Sequence, residues 1–135
     1  MAGYSDLVRE HFEHPRNAGV LEHADGIGER ANPVCGDRMR VMIRVAEGRV
    51  AEVRWQTRGC PAAIATSSFA SEMVAGWELD AVRSLTREAI AEAMGGLPRD
   101  KVHCSVLAAD ALRAAVEDYE RRRGSPSGQG IGEIP

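Results

Sequence analysis

The chain has 135 residues, a hydrophobic fraction of 44% and a formal net charge of −3. This length fits one domain whose hydrophobic core needs no disulfide bonds. The mildly acidic balance gives no electrostatic reason to expect nucleic acid as a partner. The sequence contains no run of about 18 apolar residues that would predict a membrane span. Because the N-terminal residues also lack the basic and apolar regions of a signal peptide, we expect a cytoplasmic protein.

The apolar pattern predicts an α+β fold, in which helices pack on one face of a small antiparallel three-stranded β-sheet. Ser5 is expected to cap a first helix that stops at Pro15, and residues 16–34 are typical of a loop with a short edge strand. Two alternating runs then flank a turn at Gly48. This pattern is typical of an antiparallel hairpin with its arginines on the solvated face.

Further helices are predicted after the hairpin. They begin at Cys60-Pro61, at Asp80 as an N-cap, at Thr86 as an N-cap and at Val102. Apolar residues three or four apart give the core-facing stripes, which are Ala62, Ala65, Phe69 and Met73 in the first helix and Val106, Ala109, Leu112, Val116 and Tyr119 in the last. We therefore expect a domain over residues 1–123, followed by a Gly- and Ser-rich flexible tail over residues 124–135.

Three cysteines lie far apart, each at the predicted end of an element. Cys35 lies in a loop before a strand, Cys60 lies between a strand and a helix, and Cys104 lies in the first turn of the last helix. An odd number of thiols without a Cys-x-x-Cys pair argues against a disulfide framework, a zinc ribbon and a thioredoxin-like motif. Thiolates bind zinc, Cu(I) or iron–sulfur clusters. The alternative is one buried cysteine and two incidental ones.

Asp37 and His103 are candidates for a fourth ligand, and the pattern leaves both open. Gly36 permits a backbone conformation that brings the residues on either side of it to one point. The predicted helix N-termini are expected to lower the pKa of Cys60 and Cys104. Three thiolates with one harder ligand would hold a cluster loosely, whereas a stably bound cluster usually has four cysteines. Loose binding suits a carrier.

Three motifs, in this order, resemble the IscU/NifU family of iron–sulfur cluster scaffolds. They are Pro33-Val-Cys-Gly-Asp37, Gly59-Cys-Pro-Ala-Ala-Ile-Ala-Thr-Ser-Ser68 and Lys101-Val-His-Cys-Ser-Val-Leu-Ala-Ala-Asp-Ala111. The segment from Tyr4 to Asn17 is also similar to that family's N-terminus, so the resemblance spans residues 4–120. Pro61, where IscU proteins usually have glycine, favours the stand-alone NifU N-terminal domain type.

The resemblance implies a scaffold and carrier rather than an enzyme. Such a protein accepts sulfur from a cysteine desulfurase, assembles a labile [2Fe–2S] cluster with iron and transfers it to apo-proteins. The implied ligands of the cluster, or of zinc at the same site, are Cys35, Asp37, Cys60, His103 and Cys104. Among them Cys104 is implied as the persulfide acceptor, and Asp37 as the ligand that keeps the cluster labile. Lys101 matches the family's lysine before the last cysteine.

Two other functions use the same residues. One is a zinc-dependent sulfur acceptor that activates a cysteine desulfurase, as implied by the related SufU proteins. The presence of His103, and the lack of an insertion before Cys104, favour the scaffold over this function. The other is a structural zinc domain, which would unfold when a chelator removes the metal.

Two surface features bear on partners. The segment Leu97-Pro-Arg-Asp-Lys101 departs from the Leu-Pro-Pro-Val-Lys sequence by which chaperones recognise IscU proteins, so the resemblance does not favour release by an Hsp70-type chaperone. Arg38, Arg40 and Arg44 share the outer face of the hairpin. They are predicted to be a solvated face, with a docking surface as the alternative.

Overall fold

The computed structural model describes residues 4–33 and 36–124. Its elements, in chain order, are α1 (Asp6–Glu13), β1 (Gly26–Ala31), β2 (Arg38–Ala46), β3 (Arg49–Arg58), α2 (Pro61–Val74), α3 (Leu79–Arg83), α4 (Arg87–Ala93), a 3₁₀ turn (Arg99–Lys101) and α5 (His103–Gly124). Beyond Gly124, the predicted tail lies outside the described residues. No helix in these two ranges combines the length and the apolar character needed to cross a membrane.

The three strands form one antiparallel sheet in the order β1-β2-β3, which confirms the predicted hairpin and edge strand. In the register Gly26 pairs with Ile43, and Val41 pairs with Trp55. The irregular segment between α1 and β1 is attached to β3, because the indole nitrogen of Trp55 donates to the carbonyl of Arg16 at 2.7 Å. This contact holds the segment after α1 against the sheet.

Helices α2 and α5 cover one face of the sheet, as the alternation in the hairpin predicts. The core residues shared between the sheet and the two helices are all buried: Met39, Val41, Ile43, Val53, Trp55, Ala70, Val74, Ala108, Leu112 and Val116. On the other face Arg38 and Arg40 are exposed. The fold is therefore α+β with its helices on one side, and exposed arginines lie on the opposite side of the sheet.

The caps of the short helices agree with the predictions in part. Ser5 accepts a hydrogen bond from the amide of Val8 at 3.2 Å, and Thr86 accepts one from Ala89 at 3.1 Å, as expected. The predicted cap at Asp80 is wrong. Helix α3 begins earlier, with Glu78 at its N-cap, and Asp80 lies in its first turn.

Two packing details differ from the predicted pattern. Met42 lies on the same face of β2 as the arginines, which was expected to be solvated, yet it is 3% exposed. Its ladder partners are Ile27 and Arg54, and side chains opposite each other share a face and can cover one another. In α2 the predicted stripe is displaced, because Phe69 and Met73 are only half-buried. The buried positions surround most of α2, since this helix packs against α1, β3 and α5.

Candidate metal centre

The candidate ligands meet at the end of the molecule where β2, α2 and α5 begin. Asp37 immediately precedes β2, and Cys60 is the N-cap residue of α2. His103 and Cys104 are the first two residues of α5. Pro61 begins α2 because its fixed φ suits the first helical position, where an amide hydrogen would have no partner within the helix. Residues up to 67 positions apart in the sequence thus lie on one surface, because each stands at the end of a strand or helix.

The distances between the side chains describe a compact group. The Cys60 Sγ lies 3.9 Å from the Cys104 Sγ and 3.8 Å from the Asp37 Oδ2. The His103 Nε2 lies 3.5 Å from the same carboxylate oxygen. Ligand atoms of Asp37, His103 and Cys104 all lie within 4.8 Å of one another, which is close enough for one metal ion to bridge them.

Two glycines allow Asp37 to occupy this position. Gly36 has a φ of +81°, which residues with a side chain rarely adopt. A Cβ atom at Gly59 would lie 2.7 Å from the Asp37 Oδ1, so the carboxylate rests directly against the backbone before Cys60. Asp37 is consequently 6% exposed. The sequence motif suggested a role for Gly36, but nothing in it indicated that Gly59 makes room for the carboxylate.

Cys104 is fully buried in a small apolar cluster with Ala62 and Ala63, and the ring of Tyr4 packs against that cluster. Burial raises the pKa of the Cys104 thiol far above its ordinary value. The neighbouring Cys60 and Asp37 raise it further, while Lys101 opposes them. The expectation that the helix N-terminus lowers this pKa is therefore wrong for the metal-free protein, because desolvation outweighs the helix.

Tyr4 and Lys101 lie next to the candidate ligands. Burial raises the pKa of Tyr4, and the positive charge of Lys101 counteracts that rise. The pKa of Lys101 is itself raised, chiefly by its electrostatic interaction with Cys60. Lys101 was a candidate from the motif, whereas Tyr4 was only part of a similar N-terminal segment. A lone tyrosine 100 residues from Cys104 gives no sequence signal of such a contact.

The structure brings together four of the five candidates, and the fifth lies outside the described residues. Cys60, Cys104, Asp37 and His103 form the group, and Cys35 falls between the two described ranges. The donor set contains two thiols, a carboxylate and an imidazole, which zinc accepts in four-coordinate sites. Thiolates from the same set would also bind the iron of a cluster. The arrangement therefore fits either a metal ion or an iron–sulfur cluster bound by mixed ligands.

Comparisons of the sequence with known proteins identify its family. The NifU-like N terminal domain family matches residues 3–126. The iron–sulfur cluster assembly scaffold protein IscU 1 of Archaeoglobus fulgidus is 54% identical over 121 residues, which cover 90% of this chain and 79% of that protein. The scaffold protein IscU of Escherichia coli K12 is 43% identical over 124 residues, covering 89% and 96%.

A solved structure shows the same fold. The crystal structure of a NifU-like N-terminal protein from Brucella abortus superimposes with a TM-score of 0.70 at 18% identity, covering 87% of this chain and 94% of that one. The family match extends over all of the described residues, and the two IscU proteins are similar over about nine-tenths of the chain. The chain therefore belongs to the NifU-like N-terminal domain family.

Proposed function

We propose that this protein is an iron–sulfur cluster assembly scaffold. The observation that carries the proposal is the position of the Cys60 thiol, 3.9 Å from the Cys104 thiol and 3.8 Å from the Asp37 carboxylate. The similar proteins from A. fulgidus and E. coli are named as scaffolds of this kind. The protein is a carrier, and the cluster is its cargo.

The roles of the ligands follow from their chemistry. Cys35, Cys60 and Cys104 supply soft thiolates, and Asp37 or His103 supplies the harder fourth ligand. A hard oxygen ligand binds the iron of a [2Fe–2S] cluster less firmly than a thiolate does. The cluster is therefore labile and can pass to apo-proteins.

We also propose that the scaffold domain spans residues 1–123 and that the protein acts in the cytoplasm.

Sulfur reaches this site from a cysteine desulfurase that carries a persulfide. The Cys104 thiolate attacks the outer sulfur of that persulfide, an S–S bond forms at Cys104, and the donor cysteine leaves as a thiolate. Reduction of the transferred sulfur to sulfide takes two electrons from an external reductant. Cys104 is fully buried, and Tyr4 packs against the cluster that contains it, so in this proposal Tyr4 moves aside before the thiol reacts.

A zinc-dependent sulfur acceptor is the second candidate, since Asp37, His103 and Cys104 lie within 4.8 Å of one another. Zinc and the cluster would compete for these ligands. Zinc alone would leave the protein colourless, because this ion has no partly filled d shell.

Anaerobic reconstitution with iron, cysteine, a cysteine desulfurase and a thiol reductant tests the two candidates. The scaffold should acquire visible absorption and then pass the cluster to an apo-ferredoxin, which is assayed after separation. A colourless protein that binds zinc and speeds the desulfurase would support the second candidate instead.

A further inference from the structure

An open groove lies on the outer face of the sheet, where the helices do not reach. It has a volume of about 540 Å³. Arg38 and Arg40 of β2 and Gln56 and Arg58 of β3 line it, and Glu29 lies at its β1 side. The outer face was predicted to be a solvated row of arginines, with a docking surface as the alternative. Arg38, Arg40 and Arg58 are exposed, and they line one concave surface.

The charges in this groove are poorly balanced within the described ranges. Arg38 lies directly opposite Arg58 in the ladder, and like charges in that position destabilise a sheet. Arg38 lies 3.5 Å from the Glu29 carboxylate, but neither Arg40 nor Arg58 has an ion pair with a residue of those ranges. This arrangement lowers the stability of the sheet and leaves Arg40 and Arg58 without an ion pair in the described ranges. A role in binding a partner explains it more easily than a role in folding does.

Arg44 shows the contrast on the same face. Its guanidinium lies 3.0 Å from the Glu52 carboxylate and also donates to the carbonyl of Glu22. Arg44 is therefore satisfied within the protein. Of the three arginines predicted to share this face, it is the one that the groove does not include, and Arg58 takes its place.

The groove adjoins the candidate metal centre. Gly36, the residue before Asp37, is part of its lining. Arg58 precedes Cys60 by two residues at the end of β3. A molecule bound along the arginines would consequently approach the side of the centre that Asp37 forms.

We infer that this groove docks a carboxylate-rich surface of a protein that exchanges sulfur or cluster at the neighbouring centre. The inference rests on the proposed function and specifies the chemistry of the partner. Guanidinium groups form paired hydrogen bonds with carboxylates, and complementary charge accelerates the encounter of two proteins. Glu29 lies at the β1 side of the groove, so the positive surface is confined to β2 and β3. A surface of this width fits a local group of carboxylates better than the continuous phosphate backbone of a nucleic acid.

A titration of the purified full chain with a glutamate decapeptide tests the inference. Amide chemical shifts of the ¹⁵N-labelled protein identify the binding surface at low ionic strength. We expect shift changes to concentrate at Arg38, Arg40, Gln56 and Arg58, and to weaken as salt screens the charges. Arg40→Glu should lower the affinity about tenfold or more, because it places a like charge against the peptide.

Arg87→Glu is the matched control, because it makes the same change of net charge at an exposed arginine on α4. It should retain the affinity of the unaltered chain. Arg58→Glu is a second variant in the groove, and the melting temperature of every variant shows whether it has folded.

The inference would be overturned by shift changes outside the groove, or by equal affinity in Arg40→Glu and Arg87→Glu. It would also be overturned if inorganic phosphate or a DNA duplex bound the groove as tightly as the peptide does. The titration needs no cluster. A negative titration therefore does not argue against cluster assembly. If reconstitution of the cluster fails, the titration can still be interpreted.

Discussion

The Sγ atoms of Cys60 and Cys104 lie 3.9 Å apart, although 44 positions separate these residues in the chain. Cys60 is held by the junction of β3 and α2, and Cys104 by the start of α5. Both helices pack on the same sheet through a core that lies away from the thiols. The fold therefore assembles this pair of ligands without needing a metal to draw the helices together.

Removal of metal should leave the fold intact. The main core contains large, fully buried side chains such as Met39, Ile43 and Val116, and none of them is a candidate ligand. We expect the far-ultraviolet circular dichroism spectrum and a cooperative thermal transition to persist after dialysis against a chelator. Loss of the transition in the chelated protein would instead identify a structural zinc domain.

Replacement of Asp37 should change how long a cluster remains bound. Asp37→Ala removes a hard oxygen ligand that is 6% exposed at the centre. We expect slower loss of the visible absorbance of the reconstituted protein in the presence of a chelator. Asp100→Ala removes an exposed carboxylate nearby and should decay as the unaltered protein does. Equal or faster decay in Asp37→Ala would argue against the role of this carboxylate in lability.

Tyr4 should control access to the buried thiol. Cys104 is 0% exposed, and the Tyr4 ring packs on the apolar cluster that contains it. Tyr4→Ala should therefore speed alkylation of Cys104 several-fold, as measured by mass spectrometry of peptides from the metal-free protein. Tyr119→Ala, which removes a half-buried ring elsewhere, should leave the rate unchanged. If the two variants react at the same rate, Tyr4 does not cover the thiol.

His11 should make the protein sensitive to mild acid. Its Nδ1 lies 2.8 Å from the Ser68 hydroxyl, and burial lowers its pKa, as does the charge of Arg16. Below a pH of about 6.5 the unfolded chain takes up a proton that the folded protein resists. The free energy of unfolding should therefore fall as pH falls below that value, by at most about 1.4 kcal/mol per pH unit.

Urea unfolding from pH 8 to pH 5 measures this effect. His11→Gln should flatten the dependence on pH, since glutamine does not titrate. His14→Gln replaces an exposed histidine and should keep the slope of the unaltered chain. An unchanged slope in His11→Gln would show that other groups cause the acid sensitivity.

Patterns that are local in sequence predicted most of the fold. Alternation in β2 and β3, and caps such as Ser5 and Thr86, depend on neighbours a few residues away. The motifs likewise indicated that Cys60, Cys104, Asp37 and His103 belong together, and these four residues do meet.

The remaining features depend on contacts between distant segments. The burial of Cys104 arises where Ala62, Ala63 and Tyr4 approach α5, and it reverses the pKa expected from the helix N-terminus. The unbalanced charge of Arg58 depends on its register with Arg38. The spacing of residues along the chain does not predict contacts of this kind.

Quantification of iron and acid-labile sulfide after anaerobic reconstitution tests the central claim most directly. The unaltered chain and Cys60→Ser are compared at equal protein concentration, with circular dichroism to confirm that both are folded. We predict visible absorption with iron and sulfide in equal amounts in the unaltered chain, and loss of most of both in Cys60→Ser. Equal loading of the two proteins, or a folded unaltered chain that retains neither iron nor sulfide, would contradict the assignment of this site.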